Sequence, residues 1–178
     1  MSDSERASLT HLDPDPEADE APEEFRRLIV FEACDEWFGL PIEWVREVQP
    51  LERITRVPNA PAEVVGILNL RGRVLTLFDL AGCLAVTPGT RAMTTAVVLD
   101  LGDPELCVGI AVQRIAQVRE VPSSAVQPHA REGGVGGLEG VFELDGRVVG
   151  LLDLSRVFAR SLSEWEIKVE PRGRIGAS

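Results

Sequence analysis

The stretch VVGILNLRGRVLTLFDL at Val64–Leu80 is the first copy of an internal repeat, and this repeat is the strongest indication of the fold. A shift of 74 positions places LEGVFELDGRVVGLLDL, Leu138–Leu154, over it without a gap. Eight positions are identical: Gly66 and Gly140, Leu70 and Leu144, Gly72 and Gly146, Arg73 and Arg147, Val74 and Val148, Leu77 and Leu151, Asp79 and Asp153, Leu80 and Leu154. Each copy predicts an apolar strand, a polar turn with glycine and a second apolar strand, which together form a β-hairpin.

Both hairpins end on an aspartate that precedes a short helical pattern. Asp79 is followed by LAGCL and Asp153 by LSRVF. A carboxylate at this position can accept hydrogen bonds from the free amides of a first helical turn. We therefore expect both aspartates to cap short helices, and this interpretation is favoured over an acid pair that carries out catalysis.

The repeat extends upstream of each hairpin. Leu28–Val48 precedes the first copy and Ala96–Val121 precedes the second, and both predict strand, turn and strand before the same Val-Arg-Glu-Val string. This string matches Glu47 with Glu120. The period near 73 exceeds the roughly 20–50 residues of solenoid repeats. The sequence therefore predicts two similar small β units of about five strands each, with a boundary near residues 84–92.

The charge of the chain is concentrated at its start. The formal net charge is −11, and residues 1–24 hold nine acidic side chains and one arginine. This segment has three prolines and few large apolar residues, so it cannot bury enough surface to offset its ordering entropy. We expect residues 1–24 to be a disordered acidic tail, and residues 163–178 to form a C-terminal extension.

Composition excludes several classes of protein. No window approaches the roughly 18 apolar residues of a membrane helix, so no membrane insertion is expected. The three cysteines, Cys34, Cys83 and Cys107, lack a CxxC spacing and are expected to be reduced thiols of a cytoplasmic protein, without a metal or other cofactor. The arginines are dispersed and not interleaved with aromatic residues, which argues against nucleic-acid binding.

Candidate catalytic residues are few. The two histidines are His11 in the acidic tail and His129 beside a glycine-rich loop, so neither is expected on a rigid element beside a nucleophile. The GGVGG string at 133–137 lacks the lysine and the Ser/Thr of a phosphate-binding loop. The sequence therefore predicts no enzyme.

The repeat singles out Arg71, because its counterpart in the second hairpin turn is Asp145. A structural need shared by both copies would place similar residues in both turns. Two interpretations stay open for Arg71: a solvated hairpin-tip charge, or a binding residue. The match of Glu47 with Glu120 favours a structural carboxylate, and Val45, Ile115 and Val118 are core residues by default.

Taken together, Phe25–Leu162 resembles the CheW-like domain of bacterial chemosensory systems. The most specific part of the resemblance is VPNAPAEVVGILNLRGRVLTLFDL at Val57–Leu80, supported by VFEACDEWFGLPIEWVREV before it and LDGRVVGLLDLSRVF near the end. The resemblance implies an all-β fold of two intertwined SH3-like five-stranded β-barrel subdomains with short helices and a groove between them, which agrees with the repeat.

The resemblance also implies a function. Proteins of this family are non-enzymatic cytoplasmic adaptors, recruited to membrane receptor arrays, that link the cytoplasmic tips of chemoreceptors to the regulatory domain of the histidine kinase CheA. In the family, positions that correspond to Glu47 and Arg71 form an ion pair near the receptor-binding surface. Val45, Gly66, Ile115 and Val118 match further positions of that partner-binding surface.

Two alternatives stay open from the sequence. The first is a CheW-like adaptor of a parallel pathway that controls twitching, gliding or another output. The second is an unrelated ligand-binding β-barrel protein, which a deep polar pocket with convergent titratable groups would favour.

The acidic tail yields the first testable prediction. Deleting residues 1–24 is expected to leave the melting temperature almost unchanged, because a segment without buried apolar surface contributes little to folding. Thermal unfolding followed by circular dichroism measures the difference. A large drop in melting temperature would show instead that the tail is packed on the body.

Overall fold

The computed structural model of the chain describes residues 23–129 and 136–159. Most of the predicted tail 1–24 and the whole extension 163–178 therefore lie outside the described residues. The last two tail residues are attached to the body. The Ser124 hydroxyl donates to Glu23 at 2.7 Å, and the Ser123 amide donates to the carbonyl of Glu24 at 2.7 Å. A truncation after residue 22 is therefore the cleaner form of the deletion, because it keeps both bonds.

The described residues form eleven strands and two short helices. The strands are β1 Phe25–Ala33, β2 Glu36–Pro41, β3 Val45–Pro50, β4 Val64–Leu70, β5 Arg73–Asp79, β6 Thr95–Leu99, β7 Val108–Val112, β8 Arg114–Pro122, β9 Gln127–Pro128, β10 Leu138–Leu144 and β11 Arg147–Leu152. The helices are α1 Leu80–Leu84 and α2 Leu154–Val157, and single 3₁₀ turns occupy Ile42–Trp44 and Ser123–Ala125. The all-β prediction is confirmed.

Both predicted hairpins and both aspartate caps are present. Strands β4 and β5 pair antiparallel, as do β10 and β11. The Asp79 carboxylate accepts the amide of Ala81 at 3.0 Å, and the Asp153 carboxylate accepts the amide of Ser155 at 3.0 Å. Each aspartate therefore caps its own helix.

The strands form two sheets, and each sheet contains strands of both sequence repeats. The first sheet has the order β8-β1-β2-β11-β10-β9, and the second has the order β3-β6-β7-β5-β4. The first sheet joins β1 and β2, which open the first repeat, to four strands that close the second repeat. The second sheet joins β6 and β7, which open the second repeat, to three strands that close the first. The junctions are parallel, because β11 pairs parallel with β2 and β5 pairs parallel with β7. Residues 84–92 therefore separate the two repeats along the chain, but they do not separate the two sheets.

Apolar side chains form three core clusters. One cluster lies within the first sheet and consists of Leu28, Val30, Val121, Phe142, Val149 and Leu151. A second lies within the second sheet and consists of Leu75, Leu77, Ala96, Val98 and Cys107. The largest cluster joins the sheets: it combines β1, β2 and β11 with β5, β6 and β7, and it includes both helices. Burial of this shared cluster holds the two sheets together.

A polar network fastens the join between the repeats to the first sheet. Asp35, in the β1–β2 turn, accepts hydrogen bonds from the amide and the hydroxyl of Thr90, both at 2.7 Å, and from Arg91 Nε at 3.0 Å. Glu32 is buried and accepts from Arg91 and from Arg114. The network supplies the partners that a buried carboxylate requires.

These contacts shift the two carboxyl groups toward the charged form. The hydrogen bond from Arg91 lowers the pKa of Glu32, although burial opposes this. The hydrogen bonds from the amide and then the hydroxyl of Thr90 hold the pKa of Asp35 well below its usual range. A carboxyl group with a lower pKa in the folded protein stabilises the fold above its unfolded pKa, and this stabilisation is lost as the pH falls.

The network predicts the pH dependence of stability. The free energy of unfolding is expected to be nearly constant from about pH 6 to 8 and to fall below about pH 4.5, where the unfolded chain begins to take up protons on Glu32 and Asp35. Urea unfolding at a series of pH values measures this. The Asp35→Asn variant removes one of the two groups, so its stability is expected to fall less steeply with acid. An equally steep curve would show that other carboxyl groups are responsible.

Candidate partner-binding site

Arg71 lies at the tip of the β4–β5 hairpin in a backbone conformation that arginine rarely adopts. Leu70 pairs with Arg73, so the loop has two residues, and φ is +53° at Arg71 and +84° at Gly72. Two positive φ values define a type I′ turn, which favours Asn, Asp or Gly. The left-handed conformation costs a residue with a side chain about 1–2 kcal/mol. The Asn69 side chain stabilises the turn by accepting the Gly72 amide at 2.7 Å.

The Arg71 side chain reaches across to the edge strand β3. Its Nη2 donates to Glu47 Oε2 at 2.8 Å, and the Arg71 side chain is 75% exposed whereas that of Glu47 is 22% exposed. Strands β3 and β4 are the two edges of the second sheet, so this contact joins opposite edges of the barrel that the resemblance implies for this sheet. Glu47 and Arg71, which the resemblance paired, are therefore in direct contact.

A third residue, Gln49, completes the cluster on this barrel. Gln49 Nε2 donates to Glu47 Oε2 at 2.9 Å, so the same carboxylate oxygen accepts both Gln49 and Arg71. Sequence analysis missed Gln49, although residues two apart on a strand share a face, and this spacing is the signal that could have found it.

The first sheet holds a counterpart of this cluster. At its own edge, Arg119 Nε donates to Gln117 Oε1 at 2.9 Å, and Gln117 Nε2 donates to Asp145 at 3.1 Å. Asp145 lies at the tip of the β10–β11 hairpin, also in the left-handed region with φ +51°. The two barrels therefore carry the same three-residue arrangement with different charges.

The strand registers show that Glu47 corresponds to Gln117, and the match of Glu47 with Glu120 is wrong. Val98 of β6 lies opposite Glu47, and its counterpart Val30 of β1 lies opposite Gln117. The pairing of β1 with β8 has a bulge directly after Val30, and the pairing of β3 with β6 has a bulge directly before Glu47, at the corresponding position. An alignment of the two Val-Arg-Glu-Val strings is therefore three residues away from the correspondence that the structure shows. Strand pairing, and not sequence identity, decides which residue faces the hairpin tip.

Gly66 has a structural reason to be glycine. Thr55 pairs with Ile67 at the edge of β4, and a Cβ on Gly66 would lie 2.5 Å from the Thr55 carbonyl oxygen. Gly140 repeats this geometry in the first sheet, where a Cβ would lie 2.5 Å from the carbonyl oxygen of Gln127. Both glycines therefore allow a neighbouring backbone to approach an edge strand closely.

Two of the three apolar candidates pack against the shared core. Val45 and Ile115 are half-buried and pack against the cluster between the sheets, which agrees with the default interpretation as core residues. Val118 is 45% exposed, so the expectation that it is a core residue is wrong; it lies on the edge strand β8, opposite Ile29 of that cluster. Val45 precedes the cluster of Glu47 on β3, whereas Ile115 and Val118 lie on β8 of the other sheet. The structure therefore brings Val45, Glu47 and Arg71 together on one barrel and places Ile115 and Val118 on the other.

A cavity of about 610 Å³ lies beside the β1–β2 turn. Its wall is mainly apolar, with Leu84, Leu138 and Val148, and its nucleophilic group is the Cys34 thiol. Burial, followed by the charge of Asp79, raises the pKa of Cys34 to about 11, so the thiol is protonated at neutral pH. This cavity therefore lacks the activated thiolate that nucleophilic catalysis by a cysteine requires.

The comparisons with known proteins agree with this architecture. Residues 27–162, most of the chain, match the family described as the CheW-like domain. The chain belongs to the CheW-like family. Its curated relatives carry the names of chemotaxis proteins, and the recognition made from the sequence is confirmed.

The similarity to individual CheW-like proteins covers most of this chain and most of each relative. The chain is 29% identical to a probable chemotaxis protein CheW of Rhizobium etli over 144 residues, which cover 78% of this chain and 91% of the relative. It is also 29% identical to the chemotaxis protein CheW of Rhizobium meliloti over 136 residues, which cover 75% and 87%. The crystal structure of the scaffolding protein TtCheW from Thermoanaerobacter tengcongensis superimposes with a TM-score of 0.66 at 20% identity, covering 87% of this chain and 94% of that one. This last likeness supports the fold.

The two matched glycines of the CheW-like domain allow a test of the close backbone approach. Gly66→Ala is expected to lower the free energy of unfolding by about 1–3 kcal/mol, because the added methyl group would overlap the Thr55 carbonyl. Gly140→Ala creates the same overlap in the other barrel and is expected to cost a similar amount. Chemical unfolding measures both variants. A Gly66→Ala protein as stable as the parent would show that close backbone approach does not require glycine at this position.

Proposed function

We propose that this protein is a non-enzymatic adaptor that couples the cytoplasmic tips of chemoreceptors to the histidine kinase CheA. Membership in the CheW-like family supports a scaffold role, and the exposed ion pair of Glu47 and Arg71 supports a receptor-binding surface on the second barrel. In the described residues, no helix is long and apolar enough to cross a membrane. Contact with receptors then depends on protein surfaces of this kind.

The observation that carries the proposal is the presence of arginine at the tip of a type I′ turn. Its left-handed backbone costs about 1–2 kcal/mol, while an exposed ion pair returns about 0.2–1 kcal/mol. Stability alone therefore does not account for Arg71. An unfavourable backbone conformation that persists in a fold is a reason to look for function at that residue.

The chemistry of the site suits a helical partner. A receptor tip is a helical hairpin, so it presents an apolar stripe with charged residues beside it. Val45 and the partly exposed Val48 lie on the same strand as Glu47, and the guanidinium of Arg71 presents further donors to a carboxylate. We infer that apolar contact supplies affinity and that the ion pair sets the register of the helix.

Reconstitution tests the whole function. The purified full chain is mixed with CheA and with a receptor signalling fragment from the same organism, and complex formation and CheA autophosphorylation are measured with and without the chain. A ternary complex in which kinase activity depends on receptor and adaptor is the expected result. Binding to neither partner would overturn the proposal and would favour an adaptor of another pathway.

Reversal of the hairpin-tip charge tests the site. Arg71→Glu is expected to fold with nearly unchanged stability, because the side chain is exposed, and to weaken receptor binding at least about 10-fold, because it places a like charge beside Glu47. Calorimetric titration with the receptor fragment measures the loss.

Asp145→Lys serves as the matched control, since it reverses the charge at the same turn position of the other barrel. This variant is expected to bind the receptor fragment within about 2-fold of the parent protein, because the reversal lies on the barrel without the ion pair. Equal losses in both variants would show a general effect of charge, and an unchanged Arg71→Glu protein would remove Arg71 from the site.

A further inference from the structure

We infer that Gln49 is a positioning residue for the partner-binding site, because it orients the carboxylate of Glu47 that holds Arg71. The inference rests on the proposed function for its binding readout. The claim that Gln49 helps Glu47 to hold Arg71 in place depends only on the geometry of the free protein.

The geometry places Gln49 and Arg71 on one acceptor atom. Glu47 Oε2 accepts Gln49 Nε2 at 2.9 Å and Arg71 Nη2 at 2.8 Å. Gln49 is half-buried on β3, two residues beyond Glu47 and on the same face, whereas Arg71 extends from a hairpin tip into solvent. The amide is therefore the more constrained of the two donors, and it fixes the direction in which the shared oxygen points.

This constraint matters because Arg71 has much side-chain freedom to lose. An ordered arginine gives up as much as about 2 kcal/mol of rotamer entropy, which is more than an exposed ion pair returns. An acceptor that already points toward the hairpin tip reduces this loss, since only one partner then has to be ordered. Without Gln49, the Glu47 carboxylate can rotate toward solvent and release the guanidinium.

The other barrel shows that the position has this role in the fold. Arg119 corresponds to Gln49 and donates to Gln117, which in turn donates to the hairpin-tip residue Asp145. In both barrels the residue two positions along the edge strand binds the middle residue, and the middle residue binds the tip. The order is the same while the side chains differ, so the strand position itself orients the pair.

A first test removes the donor. Gln49→Leu keeps the approximate shape of the side chain and is expected to weaken receptor-fragment binding about 3- to 10-fold, the range of one lost hydrogen bond. Gln49→Glu places a second carboxylate beside Glu47 and is expected to weaken it further. Gln127→Leu makes the same replacement at an exposed glutamine of β9 and is expected to bind like the parent protein.

A double-mutant cycle separates positioning from direct contact. If Gln49 acts through Arg71, then Gln49→Leu is expected to change binding less than about 2-fold in an Arg71→Ala background. A full additive loss in that background would overturn the inference, because Gln49 would then contact the receptor itself.

A readout without any partner completes the experiment. The heteronuclear NOE of the Arg71 Nε–Hε group, measured by NMR on the free full chain, is expected to fall in Gln49→Leu and to stay unchanged in Gln127→Leu. An unchanged NOE in Gln49→Leu would overturn the inference even if binding were weakened. If the parent protein binds no receptor fragment, the proposed function fails, and the NMR comparison alone decides the role of Gln49.

Discussion

The structure depends above all on two parallel strand pairings that cross between the sequence repeats. Strand β11 of the second repeat lies beside β2 of the first, and β5 of the first lies beside β7 of the second. Neither barrel can close without strands from both halves of the chain. The apolar cluster between the sheets then buries side chains from both barrels at once, so folding of the two units is coupled through a single core.

This crossing also builds the candidate site. Glu47 lies on β3, which belongs to the first repeat and is paired along its length with β6 of the second. The hairpin that carries Arg71 is held in the sheet by β7, which also belongs to the second repeat. The 2.8 Å contact between the two side chains is thus fixed by long-range pairing, and a disturbance in either repeat changes the distance across which Arg71 must reach.

Much of the fold could be predicted from the sequence because it is encoded locally. The apolar strands, the Arg71-Gly72 and Asp145-Gly146 turns and the two aspartate caps each depend on a few neighbouring residues. Which strands cross between the repeats could not be predicted from local patterns, since a parallel pairing joins residues that are distant in the chain. For the same reason the match of Glu47 with Glu120 is wrong. The identical Val-Arg-Glu-Val strings suggest that match, but the pairing of β3 with β6 and of β8 with β1 makes Gln117 the counterpart of Glu47. Gln49 was missed because its role exists only once Glu47 and Arg71 are in contact.

The two barrels show which differences between the repeats are free to carry function. Gly66 and Gly140 stay identical because a backbone carbonyl fills the space of a side chain at both. Asp79 and Asp153 stay identical because each must satisfy the free amides of a helix. At the hairpin tips no such packing limit applies. The tip residue is Arg71 in one repeat and Asp145 in the other, and the supporting strand residues are Gln49 and Arg119. The shared backbone therefore presents two surfaces of similar shape and different charge, and charge is the property by which similar surfaces select different partners.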